Sequence, residues 1–120
     1  EPERVLIMPT YAAITVDLLK DAATFFRTLA DQNEGVKKEM TDNAAIYERM
    51  AEMMEKDPRG AAPGGQTFGQ LSARLLQDTA NLFRKLAVQN EPIREQMEHN
   101  ANIYDQVAEA VAKDPLAILD

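Results

Sequence analysis

Residues that commonly carry catalysis are scarce in this chain, which has one histidine, one serine and no cysteine. His99 follows Glu95 by four positions, whereas a di-iron helical bundle requires glutamate and histidine three positions apart on two helices. Ser72 has no histidine close to it in sequence to act as its base. Phosphate-binding and dinucleotide-binding glycine motifs are also missing from the sequence. We therefore expect no metal site, no cofactor and no enzymatic activity.

Three pairs of polar residues are expected to lie on or beside apolar helix faces. They are Asn43 and Asn100, Asp21 and Asp78, and Tyr47 and Tyr104. A buried amide must find hydrogen bonds, so the asparagines either fix how the helices pair or contact a ligand inside a bundle. The tyrosine hydroxyls could donate to the aspartates across a hairpin, either as a structural bond or as the lining of a pocket.

A second group of residues is of the kind that binds protein partners. It comprises Phe26, Phe83, Met50, Met53, Met54, Arg27 and Arg84. Methionine suits adaptable binding surfaces, and an arginine that points away from the apolar face can anchor an acidic partner. The alternative interpretation is that the phenylalanines and methionines fill the core and that the arginines are solvated.

The elements that position these residues come from an internal repeat. Residues 11–58 align without a gap with residues 68–115, and 21 of the 48 positions are identical. Tyr11 therefore corresponds to Phe68, and all equivalent positions of the two copies are separated by the same 57 residues. A linker rich in glycine and proline, residues 59–67, separates the two copies. At 120 residues, we expect a single domain over residues 1–120.

Each copy has the apolar periodicity of two helices, and a turn of only a few residues at Asn33 or Asn90 makes them antiparallel neighbours. The sequence predicts helices near 11–32, 35–56, 68–89 and 92–113. The fold class is therefore all-α: a four-helix bundle made of two tandem repeats of an antiparallel helical hairpin. With the turn near residue 33, Asp21 is expected opposite Tyr47, and by the repeat Asp78 opposite Tyr104.

The first helix of each copy carries two apolar seams, which is more than a surface helix needs. The first seam contains Tyr11, Thr15, Leu18, Ala22, Phe25 and Leu29, and the second contains Ala12, Val16, Leu19, Ala23, Phe26 and Ala30. Both seams could be buried inside the bundle, or one could bind a second chain and make a homodimer. The apolar segments Val5–Met8 and Leu116–Leu119 are expected to pack on the bundle or on a partner chain.

The formal net charge of −7 is unfavourable for binding nucleic acid or anionic membrane surfaces. We find no signal peptide or transmembrane segment in the sequence and expect a cytoplasmic protein. The combined expectation is a non-catalytic helical bundle that binds a protein partner or associates with itself. The alternative is a small-molecule-binding protein with the ligand between the two hairpins.

Overall fold

The computed structural model describes residues 9–119 and contains four α-helices in them. The helices are α1 (Tyr11–Gln32), α2 (Lys37–Lys56), α3 (Phe68–Gln89) and α4 (Arg94–Lys113). Every boundary in the second half lies 57 residues after its counterpart in the first. Helix α1 packs closely on α2 and helix α3 on α4, so the all-α architecture of two packed hairpins is confirmed. Neither the hairpin helices nor any other described helix is long and apolar enough to cross a membrane.

The helix ends follow from local side-chain chemistry. The Thr10 hydroxyl accepts from the Ala13 N–H at the start of α1, and Thr67 forms a capping box with Gln70 at the start of α3. A short 3-10 turn precedes the second helix of each hairpin, at Glu34–Val36 and Glu91–Ile93. These turns occupy the positions where the sequence predicted the first residues of α2 and α4.

One of the two differences between these turns changes their hydrogen bonds. The Asn33 carboxamide oxygen accepts from the Gly35 N–H at 3.1 Å. The residue equivalent to Gly35 is Pro92, which has no N–H, and Asn90 instead donates from its side chain to the Leu86 carbonyl at 2.9 Å.

The core is built mainly from small and aliphatic side chains on the inner faces of all four helices. All six residues of the second seam of α1 are buried. In the first seam Thr15 and Ala22 are buried, whereas Leu18, Phe25 and Leu29 are half-buried and pack against the core. Both seams therefore contribute to packing within one chain.

The beginning of α3 lies very close to the end of α4. A Cβ atom added at Gly69 would meet the Val111 carbonyl oxygen at 2.7 Å, which is closer than such atoms normally approach. Glycine at this position permits the approach of the two backbones.

The C-terminal segment is held against the start of α1 by main-chain hydrogen bonds. The Tyr11 N–H donates to the Ala117 carbonyl at 2.9 Å, and the Leu119 N–H donates to the Pro9 carbonyl at 3.0 Å. The side chains of Leu116, Ile118 and Leu119 remain exposed, so this segment packs through its backbone more than through its apolar groups. The predicted packing of Val5–Met8 lies outside the described residues.

Candidate interaction surfaces and the polar contacts between the hairpins

The two candidate tyrosines connect the hairpins to each other. Tyr47 on α2 donates from its hydroxyl to the Leu75 carbonyl of α3 at 2.8 Å. Tyr104 on α4 donates to the Leu18 carbonyl of α1 at 3.1 Å. Donor and acceptor in the first bond are the repeat equivalents of donor and acceptor in the second. Each hairpin therefore offers the other the same hydroxyl and the same carbonyl.

Thr79 adds to one of these two bonds. Its hydroxyl oxygen lies 2.9 Å from the Tyr47 hydroxyl and 3.1 Å from the Leu75 carbonyl, and it can donate to either. The equivalent residue in the first copy is Ala22, so Tyr104 has no such neighbour at the matching position. The polar contact around Tyr47 is consequently the more extensive of the two.

Burial keeps both tyrosine hydroxyls in their neutral, hydrogen-bond-donating form. Burial raises the pKa of Tyr47, the hydrogen bond from Thr79 lowers it in part, and the charge of Asp78 raises it. Burial also raises the pKa of Tyr104, and the charge of Asp21 raises it further. The pKa of each tyrosine is thus raised in part by the charge of an aspartate in the opposite hairpin.

The predicted bonds between Asp21 and Tyr47 and between Asp78 and Tyr104 are wrong. Both aspartates are exposed, and both tyrosines donate to carbonyls of the other hairpin. The pairing within the hairpin is shown by the ion pair of Lys20 with Glu55, which places Asp21 near residues 53 and 54 of α2. The predicted register was displaced by about two helical turns, at 3.6 residues per turn.

The displacement comes from the turn between the helices. The 3-10 segment Glu34–Val36 continues past the end of α1 before the chain reverses, so the first turns of α2 extend beyond α1. Residues 37–43 are exposed or half-buried for this reason. This extra rise moves the reversal of the chain past Asn33, where the sequence predicted it.

Asn43 and Asn100 are half-buried near the exposed beginnings of α2 and α4 and are not part of the core. Among the described residues, the fully buried polar side chains are instead those of Thr15, Ser72 and Thr79, all on α1 and α3. Within residues 9–119, the Thr15 and Ser72 hydroxyls have no hydrogen-bond partner. These two positions are repeat equivalents. The sequence predicted that both lie on the apolar seam, but they were not among the predicted polar residues of the core.

Most of the candidate partner-binding residues lie in the core. Phe26, Phe83, Met50 and Met54 are buried, and Met53 is half-buried. The aromatic rings form a continuous series through both hairpins, in which Phe25 contacts Phe83 across the interface with ring centroids 5.5 Å apart. Phe26 packs edge-on against Tyr47 at 5.0 Å, and Phe83 against Tyr104 at 5.3 Å. In this conformation the two phenylalanines serve packing and are not accessible to a partner.

Arg27 and Arg84 each pair with a carboxylate of the neighbouring helix. Arg27 binds Glu48 through two nitrogens, at 2.9 and 2.7 Å. Arg84 binds Asp105 at 2.6 Å and the Asn102 side chain at 3.1 Å. The hydrogen bond to Arg27 lowers the pKa of Glu48. These contacts neutralise the arginines locally and leave them less suited to anchor an acidic partner.

A pair of exposed isoleucines was not among the predicted site residues. Ile46 on α2 is 54% exposed and Ile103 on α4 is 36% exposed, and the two are repeat equivalents. Ile46 lies in a surface groove of about 500 Å³ together with Ala45, Glu48, Arg49 and Glu52. The available signal in the sequence was an identical large apolar residue in both copies, at a position outside the apolar seams.

The remaining candidates for chemistry are dispersed. His99 is exposed at the beginning of α4, whereas Ser72 is fully buried on α3. Within residues 9–119, no group of histidine and carboxylate side chains has the arrangement of a metal site. No protein-family profile, no curated protein sequence and no solved structure matches this chain.

Proposed function

We propose that this protein is a non-catalytic interaction module that binds basic, amphipathic segments of other proteins, at one site on the outer face of α2 and at an equivalent site on the outer face of α4. The observation that carries the proposal is the pair of exposed isoleucines, Ile46 and Ile103, at the same position of the two copies. What supports a partner contact is that the same large apolar side chain is exposed at the same position of both copies.

The charges beside the isoleucines indicate which partner fits. Glu52 lies in the groove with Ile46, and Glu109 is its repeat equivalent on α4. Glu48 and Arg49 also line the groove, but Glu48 already pairs with Arg27. With a net charge of −7, the chain attracts cationic segments and repels anionic ones. Met53, seven positions after Ile46 and therefore on the same side of α2, is half-buried and packs against the core, and only its exposed part is open to a partner.

The buried position of Ser72 supports the non-catalytic part of the proposal, because a substrate could not reach its hydroxyl. A ligand between the hairpins is the less favoured function. The tyrosines that would contact it already donate to backbone carbonyls, and their rings pack against phenylalanines. A cytoplasmic location stays a prediction.

The test uses a helical peptide of leucine and lysine with leucines at three- and four-residue spacing, and an otherwise identical peptide with glutamate in place of lysine. We expect fluorescence anisotropy to show binding of the lysine peptide, with an affinity that falls as the salt concentration is raised. The double change Ile46→Ser with Ile103→Ser should weaken binding roughly tenfold or more, about 1.4 kcal/mol.

Val88→Ser is the control, because Val88 is 73% exposed and belongs to α3, not to the proposed sites on α2 and α4. It should leave the affinity unchanged. Equal binding of the glutamate peptide, or an affinity that is the same in the isoleucine variant, would contradict the proposal.

A further inference from the structure

The contacts between the two hairpins are reciprocal. Tyr47 donates to the Leu75 carbonyl as Tyr104 donates to the Leu18 carbonyl, with donor and acceptor exchanged between the hairpins. A surface that pairs with its own repeat in this way is self-complementary, like the interface of a two-fold symmetric dimer. A hairpin from a second copy of the chain could therefore make the same bonds.

The ends of the hairpins meet in the same reciprocal manner. The Phe68 N–H donates to the Gly60 carbonyl at 2.8 Å, and the Tyr11 N–H donates to the Ala117 carbonyl at 2.9 Å. Residues 61 and 67 form an isolated antiparallel bridge, and their equivalents at the other junction, Ile118 and Thr10, do the same. The linker closes one junction, whereas in residues 9–119 the other is closed by noncovalent contacts alone.

The conformation of the linker allows the two hairpins of one chain to meet. It folds into a compact turn in which the Ala62 N–H donates to the Gln66 carbonyl at 2.8 Å and the Gly65 N–H donates to the Ala62 carbonyl at 2.9 Å. Gly65 adopts a φ of 98°, which side-chain-bearing residues rarely adopt. If this turn opened, the second hairpin would be carried away from the first.

We propose that the surface between the hairpins also fits a second copy of this chain, and that two copies exchange hairpins when the turn in residues 61–67 opens. The exchanged dimer keeps both tyrosine–carbonyl bonds, so it differs from the monomer only in the linker and in the entropy of association. A short linker provides a millimolar effective concentration, which favours the monomer in dilute solution. This surface is distinct from the outer faces of α2 and α4, and the inference does not depend on the proposed function.

The main experiment compares two full-length variants in which residues 57–66 are replaced by linkers of equal length. One linker is two copies of Glu-Ala-Ala-Ala-Lys, which is largely helical and spans about 15 Å. The other consists of glycine and serine and can fold back. We expect light scattering to give twice the chain mass for the helical-linker variant and the chain mass for the flexible control, with similar helical circular dichroism.

A disulfide identifies which chains are joined. The chain has no cysteine, and Thr10 and Ile118 face each other across the noncovalent junction, so Thr10→Cys with Ile118→Cys should form a specific bond. In the exchanged dimer this bond connects two chains and gives a covalent dimer without reductant. In the flexible control it forms within one chain. A folded helical-linker monomer, or a dimer whose disulfide stays within each chain, would overturn the proposal.

A second measurement is available if the helical-linker variant does not fold. Chains with Thr10→Cys alone and chains with Ile118→Cys alone are unfolded in urea, mixed and refolded together at high concentration. Mass spectrometry then measures the peptides in which a disulfide joins positions 10 and 118. We expect more of them after joint refolding than after the chains are refolded separately and then mixed. Equal amounts in the two mixtures would contradict hairpin exchange.

Discussion

Individual side chains determine how the two hairpins meet. The Tyr47 and Tyr104 hydroxyls donate across the interface to main-chain carbonyls. These acceptors are held in place because they belong to helices. Thr79 adds a hydroxyl on one side, where the other copy has Ala22. The tyrosine contact is therefore present in both halves, whereas the additional threonine hydroxyl is present in only one.

The first prediction concerns the two buried hydroxyls that have no partner within residues 9–119, those of Thr15 and Ser72. Removing an unpaired buried hydroxyl removes its desolvation cost, so Thr15→Val should raise the free energy of unfolding by about 1 kcal/mol. Ser72→Ala should act in the same direction. Urea unfolding at equilibrium would measure both changes.

Thr79→Val is the matched control, because the Thr79 hydroxyl is buried but hydrogen-bonded. It should lower the free energy of unfolding by about 1 kcal/mol. If Thr15→Val were as destabilising as Thr79→Val, the Thr15 hydroxyl would have to make a hydrogen bond in solution.

At the scale of the helices, the short 3-10 turns set the register of each hairpin. They carry the chain beyond the ends of α1 and α3. The beginnings of α2 and α4 are therefore exposed, and the later turns of these helices pack against α1 and α3. The ion pairs Arg27–Glu48 and Arg84–Asp105 occupy equivalent positions and show that the register is the same in both hairpins.

The second prediction concerns the close approach of α3 and α4. Gly69→Ala would place a methyl group 2.7 Å from the Val111 carbonyl oxygen, which belongs to a backbone that cannot easily yield. We expect the free energy of unfolding to fall by about 1–3 kcal/mol, the usual cost of overpacking. Thermal and urea unfolding would show the loss.

Gly64→Ala is the control, since a Cβ atom at Gly64 would meet nothing within 4 Å among the described residues. It should leave the stability of the protein nearly unchanged. A neutral Gly69→Ala variant would mean that the ends of α3 and α4 lie further apart than described.

At the scale of the whole molecule, the tyrosine contacts make the pairing of the hairpins sensitive to alkaline pH. Burial raises the pKa of both tyrosines in the folded protein above the value of about 10 that they have in the unfolded chain. Their contribution to stability is therefore complete below about pH 10 and is lost as the pH rises through the higher folded-state pKa values.

The third prediction follows from this difference. We expect the free energy of unfolding to decline above about pH 10, and to decline less steeply in the double variant Tyr47→Phe with Tyr104→Phe. Urea titrations at a series of alkaline pH values would measure the slopes. A double variant that loses stability as steeply as the parent protein would show that other groups cause the decline.

The sequence by itself determined the repeat, the number and extent of the helices and their arrangement in two hairpins. These features depend on local signals, such as the 3.6-residue periodicity, the Thr67 cap and the Asp-Pro steps after Lys56 and Lys113. Periodicity also predicted the apolar faces, and the seam from Ala12 to Ala30, for which burial and contact with a second chain were both open, is buried.

Only the tertiary structure decided which residues of those faces meet. The face of a helix depends on its own period, but its partner depends on the length and path of the turn, and a displacement of about two turns leaves the face almost unchanged. Periodicity could not distinguish a bond from Tyr47 to Asp21 from one to the Leu75 carbonyl of the other hairpin. Nor could it separate Asn43, near the exposed beginning of α2, from Thr15 in the core, because a seam position is buried only where another helix lies over it.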